Sequence, residues 1–245
     1  MGKYSDDALR PSIEKNKRFD SVCIYCQTNI ADSREHIPSR VFLDTPYSKN
    51  YNIVPACKNC NCGFSIDELY VSCFTDKLRN ALSNNKFPLR EKTIAAISHD
   101  KELAKKLDEQ IRIEDERILV SYVPESFSTI LIKLAKGHLC QEQDKVFESD
   151  CLIKCNFKFK PDLSEDEIHN FEELPSIDKA GECGSDFTHG LLIIDGFGSA
   201  SQVFVPWNEV QNDNYRYLTY FEQNNYIVRI VICETLFAEV IFSDH

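Results

Sequence analysis

Two short cysteine pairs near the start of the chain constrain its folding more than any other feature. The pairs are Cys23-x-x-Cys26 and Cys57-x-x-Cys60, separated by 30 residues. The CxxC spacing lets two thiolates of one tight turn bind the same tetrahedral metal ion, and two such turns complete a four-cysteine site. Such a site has no open coordination position. The sequence therefore predicts a structural Zn²⁺ ion that braces a small module and takes no part in chemistry.

Two alternatives to zinc remain open on residue type alone. The same four thiolates also bind iron, and cysteine is often a small buried hydrophobe. The chain has 11 cysteines, and those outside the two pairs show no second paired spacing. The first 20 residues are polar and lack the apolar stretch of a signal peptide, so we expect a cytosolic protein with reduced or metal-bound cysteines.

Charge is distributed unevenly along the chain. Residues 1–92 carry 14 Lys or Arg against 11 Asp or Glu, whereas residues 93–245 carry 14 against 28. This asymmetry predicts two regions with different partners. The acidity of the second region disfavours broad contact with DNA, and we expect it to bind a protein partner or to self-associate. No run approaches the ~18 apolar residues of a membrane span, so no membrane contact is expected.

We predict an α+β fold: a small zinc-braced module, then helices and a C-terminal antiparallel sheet. Residues 1–20 are interpreted as a loose arm, 21–88 as the zinc-braced module and 89–245 as an acidic α+β accessory region. The acidic stretch 161–186 is interpreted as a solvated loop that contains one short helix.

Local patterns predict the elements of this fold. Helical periodicity predicts helices over 65–84, 90–113 and 125–142, and Ser65-x-x-Glu68 has the spacing of a helix capping box. Residues 223–225 predict a hairpin loop. Aromatic residues around 215–221 are interpreted as core rather than as a recognition surface. Runs rich in β-forming residues predict strands at 113–123, 151–160, 191–194, 201–205, 216–221, 227–232 and 237–242.

Four polar residues lie between and directly after the cysteine pairs: Glu35, His36, Asn52 and Asn61. Pro38 removes a ladder donor and so predicts the end of a short strand that contains Glu35 and His36. Asn52 begins a second short strand that leads into the second pair, and Asn61 begins the segment that leads to a helix. A hairpin and a helix clamped by one zinc ion would bring these four side chains within reach of one another.

The order Cys-x-x-Cys, Glu-His, Asn, Cys-x-x-Cys-Asn resembles the HNH endonuclease superfamily over roughly residues 23–75. The resemblance implies a treble-clef-like ββα-metal finger. It implies that His36 is the general base, and that Glu35 and Asn61 hold a catalytic Mg²⁺ or Mn²⁺ ion. Asn52 matches the family's middle asparagine, which braces the loop that carries the base. Histidine suits the role of base because much of it is neutral at cellular pH.

The same resemblance implies the reaction and the substrate. It implies hydrolysis of phosphodiester bonds in DNA, with RNA as the alternative, and products with 5′-phosphate and 3′-hydroxyl ends. By analogy the protein would be a defence or restriction effector. The basic residues available for phosphate contacts are few, and each is otherwise a solvated charge: Arg34, Arg40, Lys49 and Lys58.

A second hypothesis is a zinc-braced module that binds protein or nucleic acid without catalysis, and a third is a degenerate nuclease kept for assembly. Under these hypotheses His36 caps a strand or packs in a core, and Asn52 and Asn61 are turn residues. Convergence of Glu35, His36 and Asn61 on one solvent-open point favours the enzyme. A His36 side chain directed into the core favours the alternatives.

Overall fold

The computed structural model describes residues 21–47, 52–115, 117–177, 191–194 and 200–244. Within these residues the fold is α+β, with six α-helices and a five-stranded antiparallel sheet formed mostly by the end of the chain. The predicted arm at residues 1–20, the end of the acidic stretch and Lys49 lie outside the described residues. None of the described helices combines the length and the apolar content needed to cross a bilayer.

The N-terminal part is a β-hairpin followed by two helices. Strand β1 (Ser33–Ile37) pairs antiparallel with β2 (Asn52–Ala56), and α1 (Lys58–Gly63) and α2 (Ser65–Leu82) follow. Strand β1 ends immediately before Pro38, as expected of a residue without a backbone N–H. The order of two strands and a helix around the cysteine pairs is compatible with the predicted zinc-braced module.

The prediction of a capping box at the start of α2 is wrong. Phe64 is the N-cap residue and its side chain makes no capping hydrogen bond. The Ser65 hydroxyl donates to the carbonyl oxygen of Cys62, and Glu68 forms an ion pair with Lys133 instead. The tertiary ion pair with Lys133 therefore uses the Glu68 side chain that a capping box would have required. A capping box does form between Ser164 and Glu167, at the start of a later helix.

The helix predicted over 90–113 is in fact two helices, α3 (Glu91–His99) and α4 (Lys101–Gln110). Asp100 separates them, and its carboxylate accepts a hydrogen bond from the backbone N–H of Leu103 at 3.0 Å. This N-cap contact starts a new helix, which continuous apolar periodicity does not reveal. The single strand predicted over 113–123 is a hairpin of β3 (Ile111–Glu114) and β4 (Arg117–Val120).

The remaining elements are α5 (Pro124–Gln143), β5 (Leu152–Phe159), α6 (Glu165–Glu172), β6 (Ser176–Ile177), β7 (Leu191–Ile194), β8 (Ala200–Phe204), β9 (Asn208–Gln211), β10 (Tyr215–Glu222), β11 (Asn225–Ile232) and β12 (Leu236–Ser243). The helix predicted at 125–142 and the short helix in the acidic stretch are both present. The C-terminal sheet has the strand order β5-β12-β11-β10-β9, and the strand predicted at 151–160 is β5, one of its two edge strands. The strands predicted at 191–194 and 201–205 lie outside this sheet and form a separate three-stranded sheet with β6.

The predicted hairpin loop between β10 and β11 is confirmed, but it is shorter than expected. Glu222 pairs directly with Asn225, so only Gln223 and Asn224 form the turn. Both have positive φ, 49° and 61°, which is the geometry whose twist matches that of the flanking strands. Tyr215, Tyr217 and Tyr220 of β10 are buried, which confirms their interpretation as core residues, whereas Phe221 is exposed and the same interpretation is wrong for it.

Helix α5 lies between the hairpin and the C-terminal sheet. One hydrophobic cluster contains Phe74 of α2, Leu134 of α5 and Val240 of β12. On its other side α5 approaches β1 so closely that a Cβ atom on Gly137 would lie 2.3 Å from Cδ1 of Ile37. The core is therefore continuous across residue 88, and the domain boundary expected there stays a prediction.

Candidate metal centre and adjoining hairpin

The four paired cysteines come together in space. Their sulfur atoms all lie within 4.8 Å of one another, and Sγ of Cys26 is 3.9 Å from Sγ of Cys57. A tetrahedral zinc ion with Zn–S bonds of ~2.3 Å holds its sulfur ligands about 3.8 Å apart. The donor set and its spacing therefore fit a structural metal ion such as zinc, as the sequence predicts.

Two turns of the backbone present these sulfur atoms. In the first, the N–H of Gln27 donates to the carbonyl oxygen of Cys23 at 2.8 Å, and Gln27 has a positive φ of 53°. In the second, Cys57 is the N-cap residue of α1 and its Sγ accepts a hydrogen bond from the N–H of Cys60 at 3.4 Å. A backbone hydrogen bond from Ile24 to Pro55 joins the two turns at 3.2 Å.

The pKa values of the cluster's thiols are shifted in different directions. Burial raises the pKa of Cys26, but hydrogen bonds from Thr28 and Asn29 outweigh it and leave the pKa lowered. The backbone N–H of Cys60 lowers the pKa of Cys57. Burial, together with the neighbouring cysteines, raises the pKa of Cys60 well above its ordinary value. Four thiolates so close together repel one another, and a metal ion is what stabilises all four in the ionised state.

The hairpin beside the cluster has two distinct faces. In the ladder, Glu35 pairs with Val54, His36 with Ile53 and Ile37 with Asn52. Since successive strand residues point to opposite faces, Glu35 and Ile37 share the face covered by α5, and His36 lies on the other face. Asn52 is directly opposite Ile37 and so belongs to the Glu35 face.

Glu35 is buried in a charged cluster. Its Oε1 atom accepts hydrogen bonds from Nζ of Lys133 at 2.7 Å and from the hydroxyl of Ser39 at 2.9 Å. Lys133 and Ser39 also bond to Oε1 of Glu68. Burial raises the pKa of Glu35, while the Lys133 ammonium acts in the opposite direction. In the described residues Oε2 of Glu35 accepts no hydrogen bond, and the side chain remains 8% exposed.

The side chains expected to converge with Glu35 are divided between the two faces. His36 is half-buried on the face away from α5. Nδ2 of Asn61 donates to the Ser33 hydroxyl at 2.7 Å and to the carbonyl oxygen of Arg34 at 3.3 Å, which holds the start of α1 against β1. Asn52 is half-buried and forms no side-chain hydrogen bond with the described residues. The catalytic roles of these residues stay predictions.

The candidate phosphate-binding residues are placed at the surface around the hairpin. Arg34 is exposed. Arg40 is half-buried, with its guanidinium 5.3 Å from the centre of the Tyr47 ring. Lys58 is exposed and lies 3.5 Å from a carboxylate oxygen of Asp32. Arg34 and Lys58 therefore lie at the surface, and the ion pair of Lys58 with Asp32 competes with a contact between Lys58 and a phosphate.

The sequence did not identify Lys133, Glu68 or Ser39 as members of this site. Glu68 was interpreted as a capping residue and Lys133 as part of an amphipathic helix. A lysine flanked by apolar residues on both sides, as in Leu131-Ile132-Lys133-Leu134-Ala135, was the one available signal. Its carboxylate partners are 98 and 65 residues away in sequence, so no local pattern connects them.

Comparisons with known proteins found no match to this chain among protein-family models, curated proteins or solved structures.

Proposed function

We propose that this protein is a metal-dependent endonuclease of the HNH type that hydrolyses phosphodiester bonds in DNA. The observation that carries the proposal is the attachment of the candidate metal-ligand helix to the candidate catalytic strand. The four-cysteine cluster joins the turn that precedes β1 to the start of α1, and Asn61 hydrogen-bonds to Ser33 and Arg34 of the strand that carries His36. In a nuclease of this type a zinc-braced hairpin and the helix that follows it carry the catalytic residues.

Each candidate residue has its own role in the proposed reaction. His36, half-buried and on the face away from α5, accepts a proton from the attacking water. Oε2 of Glu35 and Oδ1 of Asn61 accept no hydrogen bond from the described residues, so one carboxylate and one amide oxygen are available as the hard ligands that Mg²⁺ prefers. When bound, Mg²⁺ or Mn²⁺ would stabilise charge on the phosphate and the leaving oxygen. Asn52, which pairs with Ile37 at the end of β1, takes the place of the family's middle asparagine, and Arg34, Arg40 and Lys58 would contact phosphates along the strand.

A plasmid-cleavage assay tests the proposal. Purified protein is expected to nick supercoiled DNA in the presence of Mg²⁺ or Mn²⁺, and His36→Ala is expected to reduce the rate by about 10²- to 10⁴-fold, since a general base contributes that much. His99→Ala is the matched control, because His99 is an exposed histidine at the end of α3.

Zinc content and the unfolding transition must be the same in both histidine variants. If His36→Ala loses the metal or unfolds, the assignment of His36 as a catalytic residue is wrong. A parallel assay with single-stranded RNA decides between DNA and RNA as substrate.

A non-catalytic zinc-braced binding module is the second candidate, and the burial of Glu35 favours it. An acidic side chain that is already bonded to an ammonium is less available to a catalytic metal ion. This candidate predicts binding of nucleic acid or protein with no cleavage under any divalent ion, and the same plasmid assay combined with a binding assay separates the two. The acidic C-terminal region would then bind a protein partner or a second copy of the chain.

A further inference from the structure

A buried ion cluster links the candidate catalytic strand to α5. The Lys133 side chain is fully buried, and the side chains of Glu35 and Glu68 are 8% and 11% exposed. Three oxygen atoms surround the ammonium: Oε1 of Glu35, Oε1 of Glu68 and the Ser39 hydroxyl. The Phe64 ring lies 5.2 Å from the same nitrogen. A positive charge is thus enclosed at one point by elements β1, α2 and α5.

Acidic groups outnumber basic groups in this cluster. Two carboxyl groups share one ammonium, and with both ionised the cluster would carry an excess of one negative charge in a largely buried place. The neutral Tyr25 side chain lies beside the cluster. Its hydroxyl is buried and has no hydrogen-bond partner among the described residues, and its pKa is raised by burial and by the charges of Glu35 and Glu68. A group of buried oxygen atoms in which carboxylates outnumber ammonium groups attracts cations.

We propose that the Lys133 ammonium competes with a divalent cation for the Glu35 carboxylate. The ammonium occupies the position between Glu35 and Glu68, and α5 thereby sets how tightly the hairpin binds a divalent ion. The inference rests on the proposed function, because it concerns the same Glu35 carboxylate. It assigns to the accessory helix control over the metal affinity of the candidate site.

The direction of the effect follows from charge. The Lys133 ammonium lies 2.7 Å from Oε1 of Glu35. It repels a divalent ion that approaches the same carboxylate at its other oxygen, Oε2. Removing the ammonium leaves two carboxylates and a hydroxyl, which are the oxygen ligands that Mg²⁺ and Mn²⁺ take. Metal affinity is therefore expected to rise when Lys133 is replaced by an uncharged residue of similar length.

Mn²⁺ titration of the full chain, followed by the loss of the free-ion electron paramagnetic resonance signal, measures the effect. Lys133→Met is expected to bind one Mn²⁺ more tightly than the wild type by on the order of tenfold or more, a change equivalent to about 1.4 kcal/mol. Glu35→Gln in the Lys133→Met background is expected to abolish the gain. Lys136→Met is the matched control, because Lys136 lies one turn away on α5, is also buried and faces Cys151, Asp150 and Glu148 instead.

Lys133→Met leaves two buried carboxylates without a counter-ion and can destabilise the fold. The double variant Lys133→Met, Glu68→Gln keeps the cluster at the wild-type excess of one negative charge, and it is expected to fold with its zinc and to bind Mn²⁺ more tightly than the wild type. Equal or weaker Mn²⁺ binding by either folded variant overturns the proposal.

The binding measurement does not depend on DNA cleavage. If no variant cleaves DNA but Mn²⁺ binding rises in the Lys133 variants, the endonuclease proposal fails and the competitor proposal stands. If the wild type cleaves DNA and the Lys133 variants bind Mn²⁺ with unchanged affinity, only the competitor proposal fails.

Discussion

At the scale of single residues, α5 carries buried polar side chains whose surroundings restrict their protonation state. His138 is completely buried, and its Nε2 atom lies 2.7 Å from the hydroxyl oxygen of Tyr215. Its ring stacks on Tyr217 with 3.6 Å between centroids. Burial lowers the pKa of His138 to about 3, so the side chain is neutral in the folded protein at any pH where the protein is expected to work.

The depressed pKa of His138 predicts a loss of stability in mild acid. Between pH 6.5 and 3 the unfolded chain binds a proton at this position and the folded chain does not, so the free energy of unfolding falls as pH decreases, by up to about 1.4 kcal/mol per pH unit from this one group. His138→Gln removes the titration. Urea unfolding at pH 7 and pH 5.5 should show that the advantage of the wild type over the variant shrinks at the lower pH.

The comparison of wild type and variant at each pH cancels the acid sensitivity of the cysteine cluster, which both proteins share. A wild-type advantage that is the same at pH 7 and pH 5.5 would contradict the buried neutral state of His138.

At the scale of elements, the contact between α5 and the hairpin is set by a single glycine. A Cβ atom at position 137 would lie 2.3 Å from Cδ1 and 2.7 Å from Cγ1 of Ile37, and Ile37 is buried. The helix therefore uses a residue of poor helical propensity because only that residue allows β1 to approach. Close approach here is what brings Lys133, four residues earlier on α5, to Glu35.

Gly137→Ala is expected to destabilise the protein by about 1–3 kcal/mol through overpacking, although alanine in a helix interior is normally more stable than glycine by roughly 1 kcal/mol. Denaturant unfolding measures the change. In an Ile37→Ala background the same substitution should cost much less or become stabilising, because the clashing atoms are gone.

Gly63→Ala is the matched control, since a Cβ at that position meets no atom within 4 Å. An equal cost of Gly137→Ala with and without the Ile37 side chain would contradict the packing described between α5 and β1.

The candidate metal centre is a second feature that holds elements together, and cysteine substitution tests it. Cys60→Ser should remove most of the bound metal and unfold the hairpin, because binding of the metal to four thiolates supplies much of the folding free energy of such a module. Cys62→Ser is the matched control: Cys62 is exposed, two residues away, and outside the cluster. Elemental analysis should find one zinc per chain in the wild type and in Cys62→Ser.

A red-brown protein that contains iron in place of zinc would favour the iron alternative while leaving the four ligands unchanged. Full metal retention by Cys60→Ser would contradict the four-cysteine site itself.

At the scale of the whole molecule, the continuous core predicts that the N-terminal module depends on the rest of the chain. Phe42, Tyr70, Phe74 and Leu78 are all buried in the cluster that also contains residues of α5 and the C-terminal sheet. A fragment of residues 21–88 would expose these side chains to water.

We expect the 21–88 fragment to bind zinc through its four cysteines but to lack fixed side-chain packing. It should bind a hydrophobic dye and give a poorly dispersed NMR spectrum, whereas the full chain should do neither. A well-dispersed spectrum from the zinc-bound fragment would instead show that residues 21–88 form an independent domain.

The parts of the fold that depend on local chemistry could be predicted from the sequence. The CxxC pairs, the α2 and α5 periodicity and the β10 to β12 strands needed only neighbours in the chain, and the structure has all of them. The sequence did not predict the break between α3 and α4 at Asp100, and it wrongly predicted a capping box at Ser65. A capping contact and a distant lysine, respectively, outweighed the local pattern at those positions.

The sequence by itself therefore determined the four candidate metal ligands and the α+β character of the chain, because short-range spacing decides which thiols can share an ion and which residues face a core. Only the tertiary structure decided what Glu35 does in the fold. Its partners Lys133 and Glu68 are brought to it by the close packing of α5 and α2, and a buried carboxylate must find a counter-charge wherever the fold provides one. That long-range pairing, invisible in the sequence, controls the charge at the candidate site.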